Sequence, residues 1–365
     1  MVKKGIAIIL IFVLLISSAA CREKADPGNA DITSISTSEE QQKAEEPVSE
    51  QEGTKPDGSD GEGTAKEEDG TVDNFVFPEE GTRPFAVMID NQGSAVLPQG
   101  GLHMAQVVYE IIVEGGITRY MPVFWNVDPE MIGPVRSSRH YFLDYAMEHD
   151  AIYVHFGQSP QALKDLQSYK INNINGIYVA GVFWDLTKDK GNWQDSYTSM
   201  EKAKEYANKV GYRTETDKKH VFTYNRKDAE LQSAEKAEKV SITYSDGYIS
   251  RYEYDATTKT YMRFRNGKPH MERITGEQLA VKNIVIQVVK NQRIKGDKED
   301  RQELFNVGSG NGWYITNGKV IKIKWSKASR PEPTQYTDEA GNPIALNPGQ
   351  TWVQIAPSAD RVVIE

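Results

Sequence analysis

The sequence predicts an α/β N-terminal domain with a mixed sheet, joined to a mainly antiparallel β C-terminal domain. Three observations carry this prediction. From residue 76 to 215, short apolar runs alternate with amphipathic helical segments, as strands packed against helices do. From 216 to 365 the helical period disappears, and Asp246-Gly247, Asn266-Gly267 and Asn317-Gly318 each separate two β-forming runs like hairpin turns. The folded stretch is also long, about 290 residues, more than one hydrophobic core usually serves.

Two segments precede the fold. Residues 1–21 carry Lys3 and Lys4, an apolar run from Ile6 to Ile16, and then Ser17, Ser18, Ala19, Ala20 and Cys21. The run is shorter than the roughly twenty residues that span a bilayer, so it reads as a signal peptide to be set aside from the fold. Cys21 is the single cysteine of the chain. It follows small residues as the lipidated cysteine of a bacterial lipobox does, with Ser18 where an aliphatic residue is usual. Two acyl chains on Cys21 would hold the protein at the extracytoplasmic face of the cell membrane and leave no thiol for a disulfide. Residues 22–75 form an acidic tether: from Arg22 to Asn74 there are 16 acidic and 5 basic side chains and almost no large apolar ones. Such a composition buries too little surface to offset its ordering entropy, so disorder is expected. The whole chain carries −9. The net acidity therefore lies in the tether, and the near-neutral remainder argues against a nucleic-acid partner.

In the N-terminal domain, Pro84 to Asp90 reads as a buried strand and Leu102 to Gln106 as one helical turn. Val107 to Val113 alternates as a strand that Gly115-Gly116 turns back into Ile117 to Trp125. A two-residue turn would put Arg119 on the face of Glu110 and Glu114, which fits either a solvated ion pair or a charged platform beside a site. After Gly133-Pro134, a helix capped by Ser137 or Ser138 presents Tyr141, Phe142, Tyr145 and Ala146 at core spacing. Arg136 and Arg139 at its start would oppose the helix dipole. Either Asp90, Glu110 or Glu114 neutralises them, or they serve an anion.

Ala151 to Phe156 is the next strand and carries His155. Gly157-Gln158-Ser159-Pro160 then opens a helix with a serine cap and proline at its first position. Free N–H groups at such a helix start bind phosphate or carboxylate. Arg119, Arg136, Arg139, Gly157 and Ser159 therefore form a candidate anion site, with His155, Glu110, Glu114 and Asp90 as candidate acid–base groups. A third helix starts at the capping box Thr198-Ser199-Met200-Glu201 and ends near Gly211.

In the C-terminal domain, Val281 to Lys290 and Ile321 to Trp325 are further strands, and the pattern reads as an antiparallel barrel or rolled sheet. Trp313, Trp325 and Trp352 either fill its core or line a groove. Several chemistries lack their signatures. There is no Gly-rich phosphate loop and no dinucleotide fingerprint, so no cofactor is expected. The six histidines include no His-x-x-x-His pair, so no metal site is expected. Ser159 is followed by proline and lacks the second glycine of a nucleophile elbow. Glu110 and Glu114 would stand about 13 Å apart on an extended strand, beyond the roughly 5–9.5 Å of paired glycosidase carboxylates.

Four separated motifs together resemble a known family. Pro-Phe-Ala-Val-Met-Ile-Asp-Asn (84–91), Val-Val-Tyr-Glu-Ile-Ile-Val-Glu-Gly-Gly-Ile-Thr-Arg (107–119), Ile-Gly-Pro-Val-Arg-Ser-Ser-Arg (132–139) and Val-His-Phe-Gly-Gln-Ser-Pro (154–160) are similar to the YerB-like lipoproteins, in family order. Asn-Pro-Gly-Gln-Thr-Trp-Val (347–353) fits their second domain. The resemblance implies a membrane-attached lipoprotein of Gram-positive type, α/β in its first domain and β-rich in its second. It transfers no reaction. Gln158 stands where a second glycine is usual, and Gln194-Asp195 where a His-Asn pair is usual.

Two functional readings follow. In the first, a lipid-anchored protein binds an anionic cell-envelope component or an envelope protein, with Arg119, Arg136, Arg139 and Ser159 holding the anion. In the second, it is an enzyme acting on a cell-wall glycopolymer or phosphodiester, with His155 as general acid–base and the arginines stabilising developing charge. An enzyme needs His155 in an open cleft beside a carboxylate or nucleophile. A binder needs the arginines converging and exposed. Arginines buried against Asp90, Glu110 and Glu114 would remove both.

Overall fold

The computed structural model describes residues 71–72, 75–187, 195–232 and 234–365. Cys21, the signal segment, Gln194 and all but the last few tether residues lie outside the described residues. In chain order the N-terminal region supplies β1 (Phe85–Val87), β2 (Ile89–Asp90), β3 (Val107–Ile112), β4 (Thr118–Phe124), α1 (His140–Glu148), β5 (Ile152–His155), α2 (Pro160–Ser168), β6 (Asn173–Asn175) and α3 (Met200–Lys209). The C-terminal region supplies β7 (Lys239–Ser245), β8 (Tyr248–Asp255), β9 (Thr260–Arg265), β10 (Asn283–Val288), β11 (Gly308–Thr316), β12 (Lys319–Lys327), β13 (Thr351–Ala356) and β14 (Val362–Ile364).

The N-terminal region is α/β with a mixed sheet and the C-terminal region is mainly antiparallel, as the sequence indicates. The predicted hairpins form. Ser245 pairs with Tyr248, Arg265 with Lys268 and Thr316 with Lys319. Asn266-Gly267 and Asn317-Gly318 hold positive φ at both positions, the signature of the type I′ turn that matches strand twist.

The barrel does not form. Instead one open sheet runs β12–β11–β10–β13–β3–β4–β1–β5–β6 through both regions, and a second, smaller sheet runs β9–β8–β7–β14. The difference comes from β13. It leaves the C-terminal hairpins and inserts between β10 and β3, parallel to both. A parallel neighbour is joined by no local turn, so hairpin signals cannot announce it.

Both faces of β3 are covered, and all six of its residues are buried. Tyr109 and Glu110 are consecutive, so they point to opposite faces. On Glu110's face lies the smaller sheet. Its Arg263 donates to the Glu110 carboxylate at 2.7 Å, and Ser250 and Thr118 donate to the same group at 2.7 and 2.9 Å. The Arg263 guanidinium also lies over the Trp352 ring at 4.1 Å. Beyond it, Arg263 bonds His270 Nδ1, and His270 Nε2 meets Gln99 Oε1 at 2.8 Å. The Gln99 amide donates to the Asp90 carbonyl at 3.0 Å. A continuous polar chain thus crosses from β3 through β9 back to β2.

On Tyr109's face lie the helices. Tyr109 donates to Glu148 at 2.8 Å, and Lys327 of β12 pairs with Glu148 at 2.7 Å, both charges fully enclosed. Burial favours the neutral acid, but Lys327 and the Thr334 donors hold the Glu148 carboxyl below its ordinary range. Each face of the sheet therefore carries a fully enclosed ion pair that ties the N-terminal region to the C-terminal one.

Removing one member of such a pair leaves an uncompensated buried charge. Arg263→Met is expected to lower unfolding free energy by roughly 3–5 kcal/mol, and Arg263→Met with Glu110→Leu by clearly less. Denaturant midpoints of wild type and the two variants measure this.

Candidate functional site

The segment 132–160 is zipped between neighbours rather than laid open. Val135 bridges Ile89, and Ser138 bridges Gln158. Arg136 N–H donates to the Met88 carbonyl at 2.8 Å, and Ser138 N–H to the Gly157 carbonyl at 2.9 Å. These bonds keep 135–138 extended, so α1 starts at His140 with Arg139 as its N-cap rather than Ser137 or Ser138. The aromatic stripe holds: Tyr141, Phe142, Tyr145 and Ala146 are buried.

The arginines are paired. Arg139 makes a fork on Glu114, with Nε at 2.8 Å from Oε2 and Nη2 on Oε1, and its Nη1 donates to the Ser138 carbonyl at 2.8 Å. Arg119 donates to the Ser137 carbonyl at 2.5 Å and lies 3.9 Å from Glu114. Arg136 pairs with the buried Asp90 at 3.0 Å and keeps its side chain 19% exposed. Burial, with Arg119 nearby, pushes the Arg136 guanidinium down to about 10 despite Asp90. Neutralisation by Glu114 and Asp90 is therefore the arrangement present.

Glu110 and Glu114 do not share a platform with Arg119. The turn after β3 is one residue longer than the Gly-Gly pair implies: Glu114–Gly116 forms a 3-10 turn, closed by the Val113 N–H to Ile117 carbonyl bond at 2.7 Å. Arg119 consequently pairs with Ile111 and Tyr120 with Glu110. A shift of one residue reverses every side chain. Arg119 faces the helices, Glu110 faces the smaller sheet, and Glu114 sits on the turn. The Glu110 carboxylate, expected as an acid–base group, is instead taken up by Arg263, Ser250 and Thr118.

His155 ends β5 as expected but is 0% exposed. Its Nδ1 lies 2.8 Å from the Gly157 carbonyl and its Nε2 3.0 Å from Asn173 Oδ1. No carboxylate or nucleophile contacts it. Burial lowers its affinity for a proton. The general acid–base role assigned to His155 therefore has no geometry behind it.

The α2 start is also self-satisfied. Ser159 caps its own helix, accepting from Ala162 N–H at 3.1 Å, and Gly157 N–H donates to Asn175 Oδ1 at 3.0 Å. Gly157 needs its left-handed φ of 79°, and a Cβ there would press on Ser137 Oγ at 3.2 Å. Gln158 accepts from Asn175 Nδ2 at 2.6 Å, so its side chain closes the turn. Asp195 accepts from Thr187 N–H at 2.9 Å. The third helix is capped by Ser199, one residue beyond the expected Thr198, which instead bonds the Val182 carbonyl.

The open surface lies elsewhere. Two adjoining hollows of ≈ 520 and ≈ 660 Å³ share Trp313, Lys322 and Glu339, making one elongated groove on the outer strands of the main sheet. Trp313 pairs across the strands with Lys322, and Asn311 with Lys324, so these four share a face. Both lysines are exposed and Trp313 is half-buried. Lys290 adds a third charge 5.7 Å from the centre of the exposed Phe305 ring. One end of the groove is thus basic and aromatic, with Glu339 as its acidic member. The other, with Glu235, Asp338 and Lys236, is mixed. Trp325 lies on the opposite strand face; its indole crosses Gly310, where a Cβ would come within 2.6 Å, and donates to the Val288 carbonyl at 3.1 Å. Trp352 is core. Trp313 lines both hollows, and Trp325 reaches the second from beneath Gly310. Lys322 and Lys324 were legible as the polar half of the Lys-Ile-Lys-Trp alternation, but nothing local marks that half as a groove.

Acid stability reports on the enclosed histidines. Burial lowers His155, takes His149 down to about 4 and, with Arg263 and Arg265 nearby, takes His270 well below the usual range. Unfolded imidazoles take protons near their ordinary value of about 6.5. Below that pH the unfolded chain binds more protons, so their contribution is complete above about pH 6.5 and is lost as the pH falls toward the folded values. Burial raises Asp144 to about 6, which acts in the opposite sense in part of this window. A difference between variants removes that term. His155→Gln is expected to show a shallower loss of unfolding free energy below pH 6.5 than wild type, measured by denaturant titration at stepped pH.

Comparison with known proteins agrees with the architecture. Residues 76–213 match the N-terminal domain, and 240–353 the C-terminal domain, of the protein family of unknown function DUF3048. The Bacillus subtilis (strain 168) protein named "Putative lipoprotein YerB" is 32% identical over 289 residues, covering 77% of this chain and 83% of that protein. The crystal structure of the YerB protein from Bacillus subtilis superposes with a TM-score of 0.70 at 29% identity, covering 80% of this chain and 98% of that one. The chain belongs to the two-domain DUF3048 family that includes YerB.

Proposed function

We propose that this protein is a lipoprotein anchored through Cys21 at the extracytoplasmic face of the cell membrane, and that its folded body binds an extended anionic envelope component along the Trp313 groove. The anchor rests on the Lys3-Lys4, apolar and small-residue run that ends at Cys21, and on homology to a protein whose name calls it a lipoprotein. Among the described residues no helix is long and apolar enough to cross a membrane. The observation that carries the binding role is the grouping of Lys290, Lys322 and Lys324 around Trp313 at one end of an elongated groove. The lysines attract a polyanion from a distance, and the indole gives its apolar backbone or sugar face a surface to lie on. The arginines first assigned to the anion are occupied by Glu114 and Asp90, so the lysine groove takes over that role.

Two outcomes check this proposal. Cys21→Ser should take up no labelled palmitate and should leave the membrane fraction; continued labelling would contradict the anchor. Calorimetry with poly(glycerol phosphate) should show binding that weakens as salt rises toward about 0.3 M. The pair Lys322→Glu and Lys324→Glu together should weaken it by roughly ten-fold or more, equivalent to about 1.4 kcal/mol. Unchanged binding in that variant would contradict the groove.

A further inference from the structure

Among the described residues, seven Arg and Lys side chains are buried: Arg83, Arg119, Arg139, Arg263, Arg265, Lys282 and Lys327. Six have a carboxylate partner. Arg83 meets Asp150, Arg119 and Arg139 meet Glu114, Arg263 meets Glu110, Lys282 meets Asp228 and Lys327 meets Glu148. Arg265 alone has none. At 9% exposure its guanidinium is held only by neutral oxygens: Nε donates to Asn91 Oδ1 at 2.5 Å, and Nη2 to the Asn91 and Gly93 carbonyls at 2.8 and 2.9 Å. An enclosed cation without a counter-charge is costly, and elsewhere in this molecule that cost is met by an acid.

Arg265 lines a hollow of ≈ 440 Å³ between the 93–98 loop and the β7–β8 and β9 hairpin turns. Its Nη1 makes none of the bonds above and is not sealed off. The walls are Leu97, Pro98, Tyr248 and Met271, and Lys268 stands at the same hollow. The Tyr248 ring centre lies 5.4 Å from the guanidinium carbon. No Asp or Glu lines the space. The volume is that of a small-molecule site, and a few charged or polar groups among apolar walls are how such sites fix orientation.

We infer that this hollow binds a small organic anion, a carboxylate or phosphate monoester on an apolar body, with the anion on Arg265 and the body against Tyr248, Leu97 and Met271. The site is separate from the Trp313 groove and shares no residue with it. Its inner end offers a guanidinium donor for a charge-assisted bond, and Lys268 adds attraction. Inorganic phosphate alone would lack the apolar contact, and a neutral alcohol would lack the charge.

The test is calorimetry on the full chain in detergent micelles with phenylacetate, phenyl phosphate, 2-phenylethanol and inorganic phosphate. Phenylacetate or phenyl phosphate should bind, whichever headgroup the site prefers. Phenylethanol and inorganic phosphate should bind at least about ten-fold more weakly. Arg265→Gln should weaken the preferred anion by about ten-fold or more. Because Arg265 also ties down the 91–93 segment, Met271→Glu provides an independent check. Met271 is exposed, so the substitution spares the core while placing a carboxylate in the hollow, and it should abolish anion binding with the melting temperature nearly unchanged. No binding of either phenyl anion would overturn the inference. So would equal binding of phenylethanol, or full binding retained in folded Met271→Glu.

Discussion

The Glu110–Arg263 pair is the constraint on which the rest of the fold depends. Glu110 sits in the middle of β3, the strand that meets β13 on one side and β4 on the other. Arg263 reaches it from the smaller sheet, its charge spread over Trp352 and Tyr120. The carboxylate is filled by Arg263, Ser250 and Thr118, so it has little capacity left for chemistry. The same pair fixes how the sheets stack, because a buried charge tolerates no sliding away from its partner. Lys327 and Glu148 do the equivalent on the helical face. The two family regions are therefore coupled through charge as well as through the β13–β3 backbone ladder.

This distribution of charge also decides what the molecule can bind. Ion pairing has consumed the conspicuous arginines of the Arg-Ser-Ser-Arg segment, with Glu114 and Asp90 as internal anions. What remains available is less conspicuous. Three lysines surround a half-buried indole on the outer strands, and one buried arginine faces a hollow without an acid of its own. The groove's two hollows, ≈ 520 and ≈ 660 Å³, are each larger than the ≈ 440 Å³ hollow at Arg265.

Much of the fold was legible because its signals are local. Ser159-Pro160 names a helix start, Asn266-Gly267 and Asn317-Gly318 name turns, and the aromatic spacing of α1 names a core face. The failures arise where a local reading must cross a long distance or count a turn exactly once. One extra residue in the Glu114–Gly116 turn moves Arg119 to the other face of the sheet. Tyr261-Met-Arg-Phe-Arg alternates so that Arg263 and Arg265 share a face with Tyr261, which the sequence displays. That Arg263 finds Glu110, 153 residues away, while Arg265 finds no acid, is a tertiary fact. His155 shows the same limit, since its position at a strand end was readable and its enclosure was not.

Native-state hydrogen exchange tests the coupling most directly. If the buried pairs and the β13–β3 ladder bind the two regions into one unit, the protected amides of β3 and β13 should open with the same free energy and the same denaturant dependence. They should also shift together when Arg263 is replaced by Met. Independent opening of β13, with β3 keeping its protection, would show that the regions fold separately and that the Glu110–Arg263 pair does not hold them together.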